Sequence, residues 1–220
     1  MQRHTIQVGS FAVNCSILEN EGKALIIDPG QEPDRIIATL ENKGWIPEAI
    51  LLTHGHFDHI NGIPGLLKRF PDLPVFVSPE DAKVMSNPMN TFPPEYSPVT
   101  IPAKNLKTDL HNSSLLTIHF SLIPTPGHTP GGVCYLFQNP APYTLHSTLC
   151  SSPHPTPILF SGDTLFAGSV GRTDLPGGDM ATLMRSLDSL RTLPEDTVVI
   201  PGHGMTTTIG RELASNPFLQ

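Results

Sequence analysis

The chain has 220 residues, of which 38% are hydrophobic and 15% charged, with a formal net charge of -7. That length fits one well-filled domain better than two, and the apolar fraction excludes a disordered chain. The acidic balance and the lack of any basic run argue against a nucleic-acid partner, because phosphate backbones reward clustered Lys and Arg.

Residues 1–8 contain no apolar stretch long enough for a signal peptide, and nowhere do about eighteen apolar residues run together. A soluble cytoplasmic protein with no membrane partner is expected. The alternating apolar runs 5–8, 12–18 and 24–27, split by Gly-Ser and Glu-Asn-Glu-Gly, predict consecutive antiparallel strands that stop at Asp28-Pro29-Gly30. Ile36, Ile37 and Leu40 predict a helix over 33–43, ended by Gly44. A strand at 49–52 follows, then a helix over 60–70, a strand at 75–77 and a short helix over 79–85.

Residues 87–100 hold four prolines and fit neither period, so a loop bordering a pocket is expected there. Strands are predicted near 115–119, 121–123, 133–137 and 158–160, with 138–157, rich in Pro, Ser and Thr, as a long hairpin loop. Leu183, Leu187 and Leu190 mark an amphipathic helix over 179–190, and a strand at 198–200 closes the regular part. Strand runs at both ends, each followed by helices, indicate a mixed α/β domain. Cys15, Cys134 and Cys150 form an odd set without CxxC spacing, so neither a disulfide framework nor a Cys-ligated zinc is implied.

The segment Thr53-His54-Gly55-His56-Phe57-Asp58-His59 places four ligand-type side chains in six positions directly after a predicted strand. Imidazole and carboxylate suit zinc and similar metals, and a tight turn at a strand end can aim several at one point. His128, Asp163 and His203 each follow a glycine at the end of an apolar run. Any one of these is explained as a surface or capping residue. Together they make five His and two Asp, too many for one tetrahedral ion and suited to two divalent ions sharing a carboxylate, with zinc first and iron or manganese accepted by the same donors. His4, His111, His119, His146 and His154 lie outside this context.

The HxHxDH signature, the later Gly-His, the Gly-Asp and the final Gly-His resemble the metallo-β-lactamase fold superfamily over nearly the whole chain. The resemblance implies a four-layer αβ/βα sandwich of two mixed β-sheets flanked by helices, with the metals at one edge. It assigns His54, His56 and His128 to one ion and Asp58, His59 and His203 to the other, with Asp163 bridging. Within the superfamily, Asp163-Thr-Leu-Phe-Ala-Gly-Ser-Val-Gly-Arg-Thr-Asp174 and Val13-Asn14-Cys15 resemble the glyoxalase II group, in its short single-domain bacterial form. That likeness implies hydrolysis of a small thioester, S-lactoylglutathione foremost, by a metal-activated hydroxide. It places Asn14 and Arg172 at the substrate, and Asp58 as an additional proton acceptor.

Asp28 is either a turn residue or a carboxylate orienting a ligating imidazole, and Arg172 either grips a substrate carboxylate or pairs with Asp174. The chain ends soon after Leu219, so no C-terminal glutathione-binding helical domain is expected, and another ester or lactone is an alternative substrate. Gly171-Arg172-Thr173-Asp174 also resembles the persulfide dioxygenases of the same fold, which would make the protein a mono-iron oxidoreductase. The fold's nucleases are disfavoured by the lack of a basic patch.

Overall fold

The structure, a computed structural model, describes residues 1–91, 96–109, 116, 118–138 and 156–220. Strands β1 (Gln2–Val8), β2 (Val13–Asn20) and β3 (Lys23–Ile27) form the expected antiparallel meander. Helix α1 (Pro33–Lys43) begins with proline in its first turn and ends at Gly44, whose φ of 67° lets its N–H reach back to the last-turn carbonyls. It returns the chain to β4 (Ile46–Leu51), parallel to β3.

The helix expected over 60–70 is two: α2 (Phe57–Ile60) and α3 (Ile63–Arg69). They separate at Asn61-Gly62, where the Gly62 N–H leaves the helical ladder for Pro29 O (2.9 Å) and Pro64 starts a new first turn. Then come β5 (Val75–Phe76), α4 (Pro79–Met85) and β6 (Leu106–Lys107), which complete a sheet in the order β1-β2-β3-β4-β5-β6.

The second sheet runs β13-β12-β9-β8-β7. It comprises β7 (Ser121–Pro124), β8 (Val133–Phe137), β9 (Ile158–Gly162), β12 (Val198–Pro201) and β13 (Thr207–Thr208). A small hairpin, β10 (Leu165–Phe166) with β11 (Ser169–Val170), follows β9, and α5 (Met180–Leu190) and α6 (Ile209–Ser215) lie later in the chain. Asp179 is the cap of α5 rather than its first residue, its side chain accepting from Thr182 N. The predicted strand 115–119 does not form at the described Leu116, Ile118 and His119, and its other two residues lie outside the described set. So do most of the predicted loop 138–157, residues 92–95 of the loop 87–100, and Cys150.

The alternation of side chains decides the layering, since period two sends neighbours to opposite faces. From β2, β3 and β4, Ile17, Ala24, Ile26 and Ile50 pack with Ile36, Leu40 and Leu66 of α1 and α3. Their neighbours Leu18, Leu25, Ile27, Ala49 and Leu51 turn the other way and meet Val133, Tyr135, Phe137, Ile158, Phe160 and Ile200 of the second sheet. That sheet's outer face (Cys134, Leu136, Leu159, Val199) is covered by Leu183, Leu187 and Leu190 of α5 and Ile209 of α6. Three apolar interfaces between four layers make the expected αβ/βα sandwich. No helix among the described residues is long and apolar enough to cross a membrane.

Candidate metal centre

The site is assembled at one rim, where the ends of β4, β7, β9 and β12 deliver Thr53–His59, His128, Asp163 and His203. β4 is parallel to its neighbours β3 and β5, and β9 to β12, so turns leaving them emerge on a common edge. Close backbone approach there demands glycine. At Gly162, with φ of 50°, a side chain would collide with Thr53, and at Gly202 one would collide with Asp163 and His59.

All seven predicted ligands come together, and all but His203 and Asp163 are buried. His54, His56 and His128 bring ligand atoms within 4.8 Å of one another, as do Asp58, His59 and His203. Within the first trio, His56 Nδ1 lies 2.9 Å from His128 Nε2. In the second, His59 Nε2 lies 3.3 Å from His203 Nε2, which lies 3.2 Å from Asp58 Oδ2. Asp163 stands between the two: Oδ1 is 3.4 Å from His59 Nε2, while Oδ2 is 3.6 Å from His128 Nε2 and 3.5 Å from His203 Nε2.

Hydrogen bonds behind the rings fix which nitrogen faces inward. His128 Nδ1 is 2.7 Å from Arg172 O, and His203 Nδ1 is 2.9 Å from Phe11 O. A carbonyl only accepts, so each Nδ1 carries a hydrogen and each Nε2 is the nitrogen left facing the cluster. His54 Nδ1 lies 3.0 Å from Thr53 Oγ1, whose own hydrogen goes to Asp28 Oδ2 at 2.6 Å. The hydroxyl must therefore accept from His54, leaving Nε2 as the lone-pair nitrogen. Asp28 Oδ2 also lies 3.1 Å from His59 Nδ1, close enough for an ion pair though off the hydrogen-bond axis. His56 differs in turning its Nδ1 to the cluster.

A divalent cation fits this donor set. His54 Nε2 and Asp163 Oδ1 are buried with no hydrogen-bond partner, an expensive condition for apolar surroundings and the expected one for metal ligands. Burial, reinforced by the neighbouring imidazoles, pushes His54 well below its ordinary pKa, and burial together with His128 brings His56 down to about 4. Both are neutral ligands at neutral pH. For His59 burial pulls downward too, but Asp163 and Asp58 outweigh it and hold the ring well above its ordinary value; His203 is raised in the same way against burial, with Asp58 its main support. Asp163 is lowered because His59, His128 and His203 together overcome burial. The ionised carboxylates of this half thus keep protons on the His59 and His203 rings, where a cation would supply the positive charge.

Asp28 occupies a left-handed turn with φ of 49°, and its carboxylate accepts from Thr53 N and Thr53 Oγ1 and lies 3.1 Å from His59 Nδ1, a placement compatible with both readings. The sequence reading missed Thr53, whose adjacency to His54 was its only signal. Asn14 does not turn its amide to open space. It donates to Pro201 O (2.9 Å) and Gly204 O (3.0 Å), clamping the turn that carries His203. Arg172 pairs in two places with Asp174, at 2.7 Å each, on the surface, and its contribution to the centre is its backbone carbonyl.

Comparison with known proteins agrees with this geometry. The family model of the metallo-beta-lactamase superfamily matches residues 8–141 and 138–203. The hydroxyacylglutathione hydrolase GloC of Haemophilus influenzae is 35% identical, covering 100% of this chain and 98% of its own length. Among solved structures, the B3 metallo-beta-lactamase BLEG-1 superposes with a TM-score of 0.84 at 36% identity, covering 99% of each chain. TTHA1623 in a di-iron-bound form gives 0.78 at 34% identity, covering 98% of this chain and 100% of that one. The chain belongs to the metallo-beta-lactamase superfamily, as a metal-binding hydrolase.

Proposed function

We propose that the protein hydrolyses a small thioester at a binuclear centre, in the manner of hydroxyacylglutathione hydrolases, converting S-lactoylglutathione to lactate and glutathione. The observation that carries this is the pair of complete ligand trios with Asp163 in contact with both. The full-length likeness to GloC supports the substrate class. The metals are zinc first, and the di-iron form of TTHA1623 keeps iron within the proposal.

Bound there, the ions would supply an activated water and polarise the scissile carbonyl. The chain's own residues do the rest. His54, His128 and His203 are locked into ligating tautomers by Thr53, Arg172 O and Phe11 O. Asp58 Oδ2, at the inner edge beside His203 Nε2, takes the proton released by the attacking water. Phe11 meets Phe57 and Tyr96 edge to face at 5.7 and 5.5 Å, Phe57 and Tyr96 lie tilted at 5.1 Å, and the three would give the Phe11 side of His203 an apolar border for an acyl group. Arg172 would meet a substrate carboxylate by exchanging Asp174 for it, which an exposed ion pair permits. A mono-iron dioxygenase needs only two imidazoles and one carboxylate, and the second complete trio favours hydrolysis. Cytoplasmic residence belongs to the proposal, supported by the free thiols of Cys15 and Cys134.

The test is a hydrolysis screen over S-lactoylglutathione, other acyl thioesters, lactones and a β-lactam, on protein of measured metal content. Turnover of the glutathione thioester with two metals per chain is expected. One iron per chain, with rapid oxygen uptake on glutathione persulfide, would overturn the proposal.

A further inference from the structure

The HxHxDH turn is held from behind by groups that touch no ligand atom. Asp81, on α4, is fully buried. Its Oδ2 accepts from Gly55 N and from Thr129 Oγ1, both at 2.8 Å, and its Oδ1 accepts from Gly131 N at 2.7 Å. Gly55 separates His54 from His56, and Thr129 follows His128. One carboxylate therefore ties together the two chain segments that carry the first trio. Asn90 grips the same turn from its other side, donating to Gly55 O (2.8 Å) and accepting from Phe57 N (2.9 Å). The fit is tight: a Cβ on Gly55 would come within 2.5 Å of Asp81 O.

We infer that Asp81 is a positioning residue for the first ion alone, setting the separation of the His54-Gly55-His56 turn from the His128 turn. This rests on reading His54, His56 and His128 as that ion's ligands. Nothing in its contacts reaches Asp58, His59 or His203, whose second partners are Asp28 and Phe11 O. The site demands a carboxylate because the two backbone N–H groups can only donate, one to each oxygen. In Asp81→Asn, whichever way the amide turns, an NH2 faces an N–H and one tether is lost. The carboxylate thus works on metal geometry at a distance, as groups supporting ligands do.

The experiment is titration of metal-free full-length protein with Zn2+ against a competing chelator, together with thermal melting of the metal-free and metal-loaded forms. For the wild type, two equivalents are expected. Asp81→Asn should keep one equivalent at wild-type affinity and weaken the other by about 10–100-fold. The melting temperature gained on loading should shrink, beyond any fall in the metal-free form. Equal weakening of both equivalents, or of neither, overturns the inference. Should Asp81→Asn not fold, Thr129→Val, which removes one tether, decides it: a smaller loss confined to one equivalent, rescued by Thr129→Ser, is expected, and unchanged or evenly reduced affinities refute it. A wild type that takes up no Zn2+ refutes the metal reading and this inference with it, whereas two wild-type equivalents that Asp81→Asn leaves unchanged refute the inference alone.

Discussion

Replacing Asp28 by Asn changes no volume and should nonetheless weaken both ions. Asp28 Oδ1 accepts from Thr53 N at 2.8 Å, and Oδ2 accepts from Thr53 Oγ1 at 2.6 Å while lying 3.1 Å from His59 Nδ1. In the variant the amide oxygen keeps Thr53 N, which can only donate, and the NH2 takes the Oδ2 position. It then donates to Thr53 Oγ1, and the hydroxyl turns its hydrogen toward His54 Nδ1. His54 is driven to carry its hydrogen on Nε2, the nitrogen meant for metal, and the second amide hydrogen opposes Nδ1–H of His59. Restoring the ligating tautomers leaves donor facing donor, which costs about 1–3 kcal/mol at each ring. At about 1.4 kcal/mol per factor of ten, each affinity should fall on the order of 10–100-fold, matching the usual effect of losing a group that supports a ligand. Chelator competition on metal-free protein measures both constants, and ring-nitrogen NMR of the same sample reads the tautomers. Unchanged affinities, or a His54 that retains hydrogen on Nδ1, would mean that Asp28 does not govern the ring tautomers.

Metal uptake at pH 7 should release protons, on the order of one to two per chain, because His59 and His203 are raised above their ordinary values and must give up hydrogen to ligate. Release should fade as pH rises through the shifted values, and calorimetry in buffers of different ionisation enthalpy checks it. His56→Ala should abolish thioester hydrolysis while circular dichroism stays native, since only the ligand Nδ1 is lost from the centre. Asn14→Ala removes two hydrogen bonds to the His203 turn and should cost about 1–3 kcal/mol in denaturant unfolding, with the second ion weakened more than the first. Leu187→Ala, fully buried under the second sheet, should cost about 2–5 kcal/mol with metal stoichiometry intact, which separates core from site.

The layering was legible because period two survives in every long strand: Leu25 and Ile27 belong to one interface and Ala24 and Ile26 to the other, as alternation requires. The helices 33–43 and 79–85 were legible to the residue from their prolines, their apolar spacing and, for the first, Gly44. Two-residue strands such as β6 and β13 carry no period and left no trace. The break between α2 and α3 was signalled only by Gly62 and Pro64, and it is made by Gly62 bonding to Pro29, a residue far away in sequence. The seven side chains that meet at the rim were legible because they cluster or follow glycine at strand ends. Asp81 was not, since an acidic residue in the first turn of a short helix reads as an ordinary partner of the helix dipole.

What the sequence pattern leaves out is the direction of each ring, and this is where the fold adds to the chemistry. His54 depends on the residue beside it, but His128 depends on Arg172 O and His203 on Phe11 O, partners separated by 44 and 192 positions. Asp28, from the turn after β3, reaches the His59 ring of α2. For His59, His128 and His203 the ring is thus directed by an element other than the one that carries it. A local peptide containing residues 53–59 would hold four donors with free tautomers and free rotation. The closed sandwich holds the same side chains in set directions, with the His54 hydrogen already placed on Nδ1, so that the cost of orienting them is met by folding. Asp28 and Asp81 then play separate parts. On the proposed binuclear reading, the first would set which nitrogen faces inward at both ions, and the second how far apart two ligand turns stand at one. The two isosteric variants, Asp28→Asn and Asp81→Asn, should therefore differ in pattern, the former lowering two affinities and the latter one, although each exchanges a single oxygen for nitrogen in the same buried rim.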